Sequence, residues 1–242
     1  MSEIIDLMRR HSSVRKFTEE VIPDDEIREF IEAGRAASNW KNFQSYSIII
    51  VKSEAAKQAI YEADHVPATK AVLGCSHFIV FVGDLNRAGL AVTLNAGDFQ
   101  PAGAESLLIS AVDASLAAEN VLLAAESAGY GGVMMGLLRE KSVEISDILG
   151  LPDYTYPLFG IALGRPAKVN SVKPRLPYEA VVFEEKYQIQ DESVIKAYDE
   201  VQAEYAGARR EGSSWSSRIA EQWGQPENPS STENLRDKKL WK

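Results

Sequence analysis

"GAESLLISAVDASLAAENVLLAAESAG", residues 103–129, is one continuous helical run, apolar around most of its circumference. At about 1.5 Å per residue it would span close to 40 Å, enough to cross a whole domain. Its polar residues Ser106, Asp113, Asn120 and Ser127 recur at every seventh position and leave one narrow polar stripe. A helix of this composition has to be enclosed by protein. Its own domain or a subunit interface would serve, and the interface is the favoured place.

Around this run the chain alternates helical and β-rich segments. Helical spacing is found at about 2–10, 24–37 and 53–63; in "PDDEIREFIEAGRAA" Pro23 precedes an acidic first turn, and Ile27, Phe30 and Ile31 fall on one face. Short apolar runs at "YSIIIV" (46–51), "HFIVFVG" (77–83), "GGVMMG" (131–136) and "PLFGIALG" (157–164) read as strands buried on both faces. Helices between strands predict an α/β or α+β domain with a covered central sheet. After about residue 186, "DESVIKAYDEVQAEYAGARR" reads as an exposed helix. The Ser-, Asn-, Gly- and Pro-rich end beyond it reads as a peripheral arm, partly helical around Trp215 to Trp223.

The 35 acidic against 26 basic residues, a net charge of −9, argue against a nucleic-acid binder, because phosphate backbones are held by basic faces. A single cysteine, Cys75, excludes an internal disulfide and a multi-cysteine metal site and fits a reducing compartment. The amphipathic start "MSEIIDLMRRH" lacks the apolar core of a signal peptide, and no uninterrupted run of some 18 apolar residues occurs. A cytoplasmic protein without a membrane anchor is expected. His11, His65 and His77 lie far apart without cysteine partners, so no metal site is expected. Dinucleotide, P-loop, metalloprotease and nucleophile-elbow signatures are also absent. If the chain is an enzyme, a borrowed cofactor should carry its hard chemistry.

Two local cationic groups stand out on this acidic chain. In "RRHSSVRKF" (9–17) an extended course would put His11, Ser13 and Arg15 on one face, two potential cations around a hydroxyl. Taken alone, the run reads rather as cations complementing the end of the first helix. In "VKPRLP" (172–177) Pro174 stiffens the backbone between Lys173 and Arg175, which should project together, as a phosphate clamp or as a solvated connector. Gly129, Gly131 and Gly132 read as a helix end and turn, whereas Gly136, at the far end of a strand, would let a flat ring lie on the backbone. "SNWKNFQ" (38–44) offers hydroxyl, amide and aromatic groups before a strand, as a binding loop or a plain turn.

In this order and spacing, "HSSVR", "SNWKNFQ", "AAESAGYGGVMMG", "YPLFGIALGRPA" and "KPRLP" resemble the nitroreductase and flavin reductase family, within it the branch of NADPH-dependent major nitroreductases and FMN reductases. The resemblance runs from about residue 4 to about 206. It implies an α+β nitroreductase-like fold: a central mixed sheet flanked by helices in a homodimer, completed by a strand exchanged from the partner, here "AVVFEEKY" (180–187). It implies an FMN-binding core over 1–186 and a C-terminal helical arm over 187–242 that wraps the partner.

By position, the resemblance implies that His11, Lys173 and Arg175 hold the FMN phosphate, with Ser12 beside them, while Ser13 and Arg15 reach the ribityl chain and the pyrimidine edge. Ser38, Asn39, Trp40 and Gln44 would line the flavin, and Met135, Gly136 and Leu137 would face its ring, the Gly136 N–H donating to N5. Thr69 is carried over from the segment "ADHVPATKAVLG", and Arg209 and Arg210 fall near the arginine that relatives use for NADPH. Ser12 stands where many relatives carry arginine, Leu137 replaces a glycine, and "GSSW" replaces a downstream arginine pair, so either NADPH or NADH is expected as co-substrate. The implied activity is ping-pong hydride transfer from NAD(P)H through FMN to small-molecule acceptors such as nitroaromatics, quinones or free flavin, with no protein acid or base. The alternative is a flavin-binding carrier or sensor without turnover.

Overall fold

The computed structural model describes the chain except Met1, His65, Val66, Ala68, Glu211, Glu227 and Asn228, and leaves aside the side chains of Asp64, Arg209, Arg210, Pro229 and Ser230. The chain divides into two compact units, one of residues 1–170 with 228–242, the other of 171–227.

In the first unit the elements run α1 (Glu3–Arg9), α2 (Asp24–Arg35), β1 (Tyr46–Val51), α3 (Glu54–Asp64), α4 (Ala71–Gly74), β2 (His77–Asp84), α5 (Asn86–Leu94), α6 (Ala104–Ser127), β3 (Gly131–Met135), α7 (Ser142–Leu149) and β4 (Thr155–Gly164). The four strands formed by the described residues are ordered β1-β2-β4-β3. Every pairing is antiparallel, so the sheet within the chain is not the mixed one expected. β2 and β3 run the same way, but β4 lies between them and opposes both, so no parallel neighbours arise. The segment expected to be exchanged with a partner, 180–187, forms no ladder within the chain. β3's outer edge receives the 11–17 segment, with the Val14 N–H donating to Gly132 O at 2.9 Å; β1's outer edge has no ladder partner among the described residues.

α6 packs against α2 and against the β2 side of the sheet, as its apolarity demands. Its inner face, Ala114, Ala117, Ala118 and Val121, is fully enclosed, while Leu108, Val112 and Leu116 leave an apolar stripe open on the opposite face. By length and composition the helix would also suit a membrane, but this inner face is core. The middle of the polar stripe is turned inward: Asp113 is 1% exposed, and Asn120 Nδ2 donates to Ala33 O of α2 at 3.2 Å, whereas Ser127 at its end is exposed. Small residues let the two helices approach closely. A Cβ on Gly34 of α2 would collide with the Val121 side chain and come within 3.0 Å of Ala117 O.

A second polar knot lies under α2 and α3. His77 is buried, its Nδ1 2.9 Å from Ser76 Oγ and its Nε2 3.6 Å from Asp24, which also pairs with Lys52. The buried Lys57 ammonium donates to Cys75 O at 2.8 Å and Ser76 O at 3.1 Å and pairs with Glu54. Burial, reinforced by the Lys52 charge, pushes the His77 imidazole below its ordinary value against the opposing pull of Asp24. Burial likewise pushes the Cys75 thiol up to about 11, which leaves it inert as a nucleophile.

In the second unit Asp191 caps α8 (Glu192–Ala206) by accepting from Ser193 N, and a Ser214–Ser217 capping box opens α9 (Trp215–Trp223). α8 and α9 join through Tyr198 against Trp215 and through Asp199, which accepts from Ser216 N at 2.8 Å. The helix expected around Trp215 to Trp223 is therefore present. The chain then returns to the first unit, where α10 (Pro229–Asp237) leads into a turn whose Lys238 O accepts from Tyr154 N at 2.9 Å.

Gly34→Ala should destabilise the protein by about 1–3 kcal/mol through overpacking against α6, read from the urea midpoint. Gly74→Ala, where nothing lies within 4 Å of a new Cβ, is the control and should not lower it. A second expectation concerns pH. The unfolded chain protonates His77 near about pH 6.5 and the folded chain only below that, so stability is full above this value and is lost as pH falls through the folded value. The urea midpoint should drop between pH 7 and pH 5, and less so in His77→Gln.

Candidate functional site

The segment following α1 divides the two readings of "RRHSSVRKF" between its halves. Arg10 serves the helix end, its Nε donating to Asp6 O at 3.2 Å. From His11 onward the chain is extended along β3 and the end of β4, with Thr18 N donating to Arg165 O and Ala167 N to Lys16 O, each at 2.9 Å. Val14 points into the core, whereas Ser12 and Ser13 are partly exposed and Arg15 is exposed. Among the described residues the side chains of Ser12, Ser13 and Arg15 make no hydrogen bond or ion pair, while Ser13 O accepts from Asn170 Nδ2 at 3.0 Å. His11 turns to α6, with Nδ1 2.7 Å from Glu126.

The 38–45 loop is held from inside α6. Asp113 Oδ1 accepts from Trp40 N at 2.8 Å and Oδ2 from Ser45 N at 3.1 Å, so one buried carboxylate ties both ends of the loop. Between these anchors Lys41, Asn42 and Gln44 adopt φ of 48°, 60° and 53°, the left-handed region that side chains avoid. Asn39 Oδ1 accepts from Gln44 N, and Arg87 donates to the carbonyls of Gln44 and Tyr46, to Ser47 Oγ and to Asp84. On this frame Trp40 and Phe43 meet edge to face with centroids 5.1 Å apart, and Lys41 Nζ lies 4.5 Å above the Trp40 ring.

Ser38, Asn39 and Trp40 join Leu108, Val112 and Leu116 of α6 around a cleft of about 330 Å³. Gln44, though hydrogen-bonded to Asn39, lines a different and larger cavity of about 1010 Å³ between α2, the start of β1 and α5. The smaller cleft is the better candidate site, because it joins three of the expected residues to the open stripe of α6. Asp113 and Glu126, the anchors of the loop and of His11, are thirteen residues apart on α6, roughly 20 Å along its axis. The 11–15 strip and the 38–45 loop of one chain are therefore separate surfaces.

Met135 is buried, and Gly136 and Leu137 open a 3-10 turn, Gly136–Arg139, at the end of β3. A Cβ at Gly136 would come within 3.0 Å of the exposed Arg139 guanidinium, which donates to Leu158 O at 2.7 Å, so the glycine also leaves room for that side chain. Thr69 is fully buried, its carbonyl accepting from Val72 N at 2.9 Å.

In the second unit Lys173 and Arg175 flank a well-anchored Pro174. Its carbonyl accepts from Tyr198 Oη at 2.9 Å and Gln202 Nε2 at 3.2 Å, and Arg175 Nη1 donates back to Lys173 O at 3.0 Å. The clamp loop is thus fixed by α8. The Arg209 and Arg210 side chains lie outside the described residues. Among the described residues no group of three histidines, cysteines or carboxylates is placed to hold a metal.

The chain matches the model of the nitroreductase family over residues 7–165 and that of the nitroreductase family C-terminal domain over 173–242. The chain belongs to the nitroreductase family. An NADPH-dependent oxidoreductase of Staphylococcus epidermidis is 37% identical over 226 residues, 89% of each protein. Among solved structures, nitroreductase A from Vibrio parahaemolyticus aligns with TM-score 0.92 at 34% identity, over 100% of this chain and 99% of that one. The NADPH:FMN oxidoreductase of Vibrio harveyi, solved in complex with NAD+, aligns with TM-score 0.90 at 34% identity over the whole of both chains. In this nitroreductase the α+β fold thus accords with its relatives, whereas Asp113, Glu126, Arg87 and Arg139 were not singled out as site-building residues from sequence. Asp113 carried a signal, an acid between apolar and small residues in an Ala- and Leu-rich helix, and Glu126 another, an acid in the last turn of a helix.

Asp113→Ala should leave the Trp40 and Ser45 amides unmatched at a cost of about 1–3 kcal/mol each. Hydrogen exchange at these two amides should accelerate, and Asp113→Asn, which keeps one acceptor, should fall between the variant and the parent.

Proposed function

We propose that this nitroreductase is a homodimeric, FMN-dependent NAD(P)H oxidoreductase. Its relatives' activities support the oxidoreductase class. The observation that carries the rest is the separation of the two polar surfaces. A strip of hydroxyls and a guanidinium lies by one end of α6, and a strained, clamped loop is anchored roughly 20 Å along the helix, an arrangement that favours a ligand meeting the two across two chains.

The donor set of the strip fits a phosphorylated, polyhydroxylated cofactor. His11, with Lys173 and Arg175 on their anchored loop, would hold the phosphate; Ser12, Ser13 and Arg15 would take the ribityl chain and the pyrimidine edge. Arg15 would also balance negative charge on the reduced ring. The backbone of Met135, Gly136 and Leu137 would support the ring, with the Gly136 N–H as a donor. Ser38, Asn39, Trp40 and Gln44 would come from the partner chain. Arg209 and Arg210 would meet the nicotinamide nucleotide, NADPH or NADH. When bound, FMN supplies the hydride relay, in ping-pong order, from NAD(P)H to a nitroaromatic, a quinone or free flavin. The chain's own work is to bind, orient and exclude water; Cys75 is buried and titrates at about 11, so no thiol nucleophile competes.

Dimerisation is supported by the open Leu108, Val112 and Leu116 stripe and by the unpaired outer edge of β1, which would receive 180–187 of the partner. Val181 and Tyr187 in that segment, with Ile189 just beyond it at 92% exposure, are largely open to solvent, although Tyr187 touches the Phe183 ring. The core would then cover 1–186, and the arm 187–242 would embrace the partner.

The purified protein should show flavin absorption and oxidise NAD(P)H continuously with a nitroaromatic or a quinone; a single stoichiometric reduction would indicate a carrier instead. Arg175→Ala should weaken FMN binding about tenfold or more, the loss for a hydrogen bond to a charged group. Full yellow colour after dialysis of that variant would refute the clamp.

A further inference from the structure

Glu126 sits in the last turn of α6, a position that is unfavourable for a carboxylate. The helix C-terminus carries partial negative charge, and α6 has no basic residue in its last turn to offset it. The carboxylate is only 10% exposed, so water screens it little, and its one observed ion-pair partner is His11 Nδ1 at 2.7 Å, whose side chain is 28% exposed. An ionised carboxylate only accepts, so Nδ1 carries the proton at this contact. Whatever the imidazole donates to a ligand must then come from Nε2, and a histidine donates from both nitrogens only as the imidazolium.

From this geometry we infer that Glu126 is a positioning residue for the anion site: it holds His11 as an imidazolium that faces the FMN phosphate through Nε2. The inference rests on the proposed FMN site and adds a member that touches no ligand. The pairing also explains the acid's position, because the His11 cation offsets both the carboxylate and the negative end of α6. The other charged groups of the neighbouring elements include Arg9, Arg10, Arg15, Arg165, Glu3 and Asp6. Arg10 donates to Asp6 O, Arg165 binds Glu20 and Gly129 O, and Arg15 is solvent-exposed. Arg9 has its own interactions, and Glu3 and Asp6 lie on the exposed surface of α1. Glu126 is thus the acid that meets the ring directly.

The test compares the wild-type holoenzyme with Glu126→Gln and Glu126→Asp at pH 6 and pH 8, reading FMN dissociation from flavin fluorescence and the His11 ring protons from ¹⁵N NMR. Glutamine can still accept from Nδ1 but cannot stabilise the cation. Relative to wild type, Glu126→Gln should bind FMN about tenfold more weakly at pH 8 and within about twofold at pH 6, where solution protons charge the ring in both proteins. Its His11 should lose the second ring proton at lower pH than in wild type, and Glu126→Asp should restore much of both properties. A loss of equal size at the two pH values, or an unchanged His11 titration, would overturn the inference while leaving the FMN reading intact. A wild-type protein that binds no FMN would overturn both, and the thermal midpoint of each variant separates these outcomes from misfolding.

Discussion

The carboxylate of Asp113 is sealed inside the longest helix of the chain and faces two backbone N–H groups from a loop roughly seventy residues earlier. A buried charge is tolerable only where hydrogen bonds replace its water, and here the donors are the two ends of the 38–45 loop. The dependence runs both ways. The helix needs the loop to satisfy its acid, and the loop needs the acid to hold three residues in the left-handed region. Because α6 is also the packing partner of α2 and the sheet, the loop inherits the rigidity of the core. An aromatic pair with a cation over it can then be presented on a surface that does not relax.

The same helix carries a second anchor near its other end. The two acids of α6 divide labour along one axis, Asp113 fixing a loop through backbone amides and Glu126 fixing a side chain through its ring. Between them the buried face is alanine and valine, which lets α2 come close at Gly34. An acid in the middle of the helix, another in its last turn and small residues between them turn the helix into a ruler that sets the distance between two surfaces.

The long apolar helix, the four strand runs and the amphipathic second helix were legible because their hydrophobic periods match what packs on them: β2 is buried throughout, and Ile27 and Phe30 point inward. The sense of the sheet was not legible, since apolar runs look alike whichever way their neighbours run. The cationic and hydroxyl members of the site were readable as residue types out of place on an acidic chain. Their supports were not, because Asp113 and Glu126 act on residues more than sixty positions away, and no local spacing records such a contact. At Gly136 the small size was visible, but its close approach to Arg139, three residues on, was not, because that depends on how a 3-10 turn folds the guanidinium back.

This last pair binds the future of two positions together. An alanine at 136 would crowd the Arg139 guanidinium, and a shorter residue at 139 would leave Leu158 O without its donor. The two positions are coupled: a change at 139 relieves the crowding that an alanine at 136 meets, so the order in which changes arise alters what each one costs.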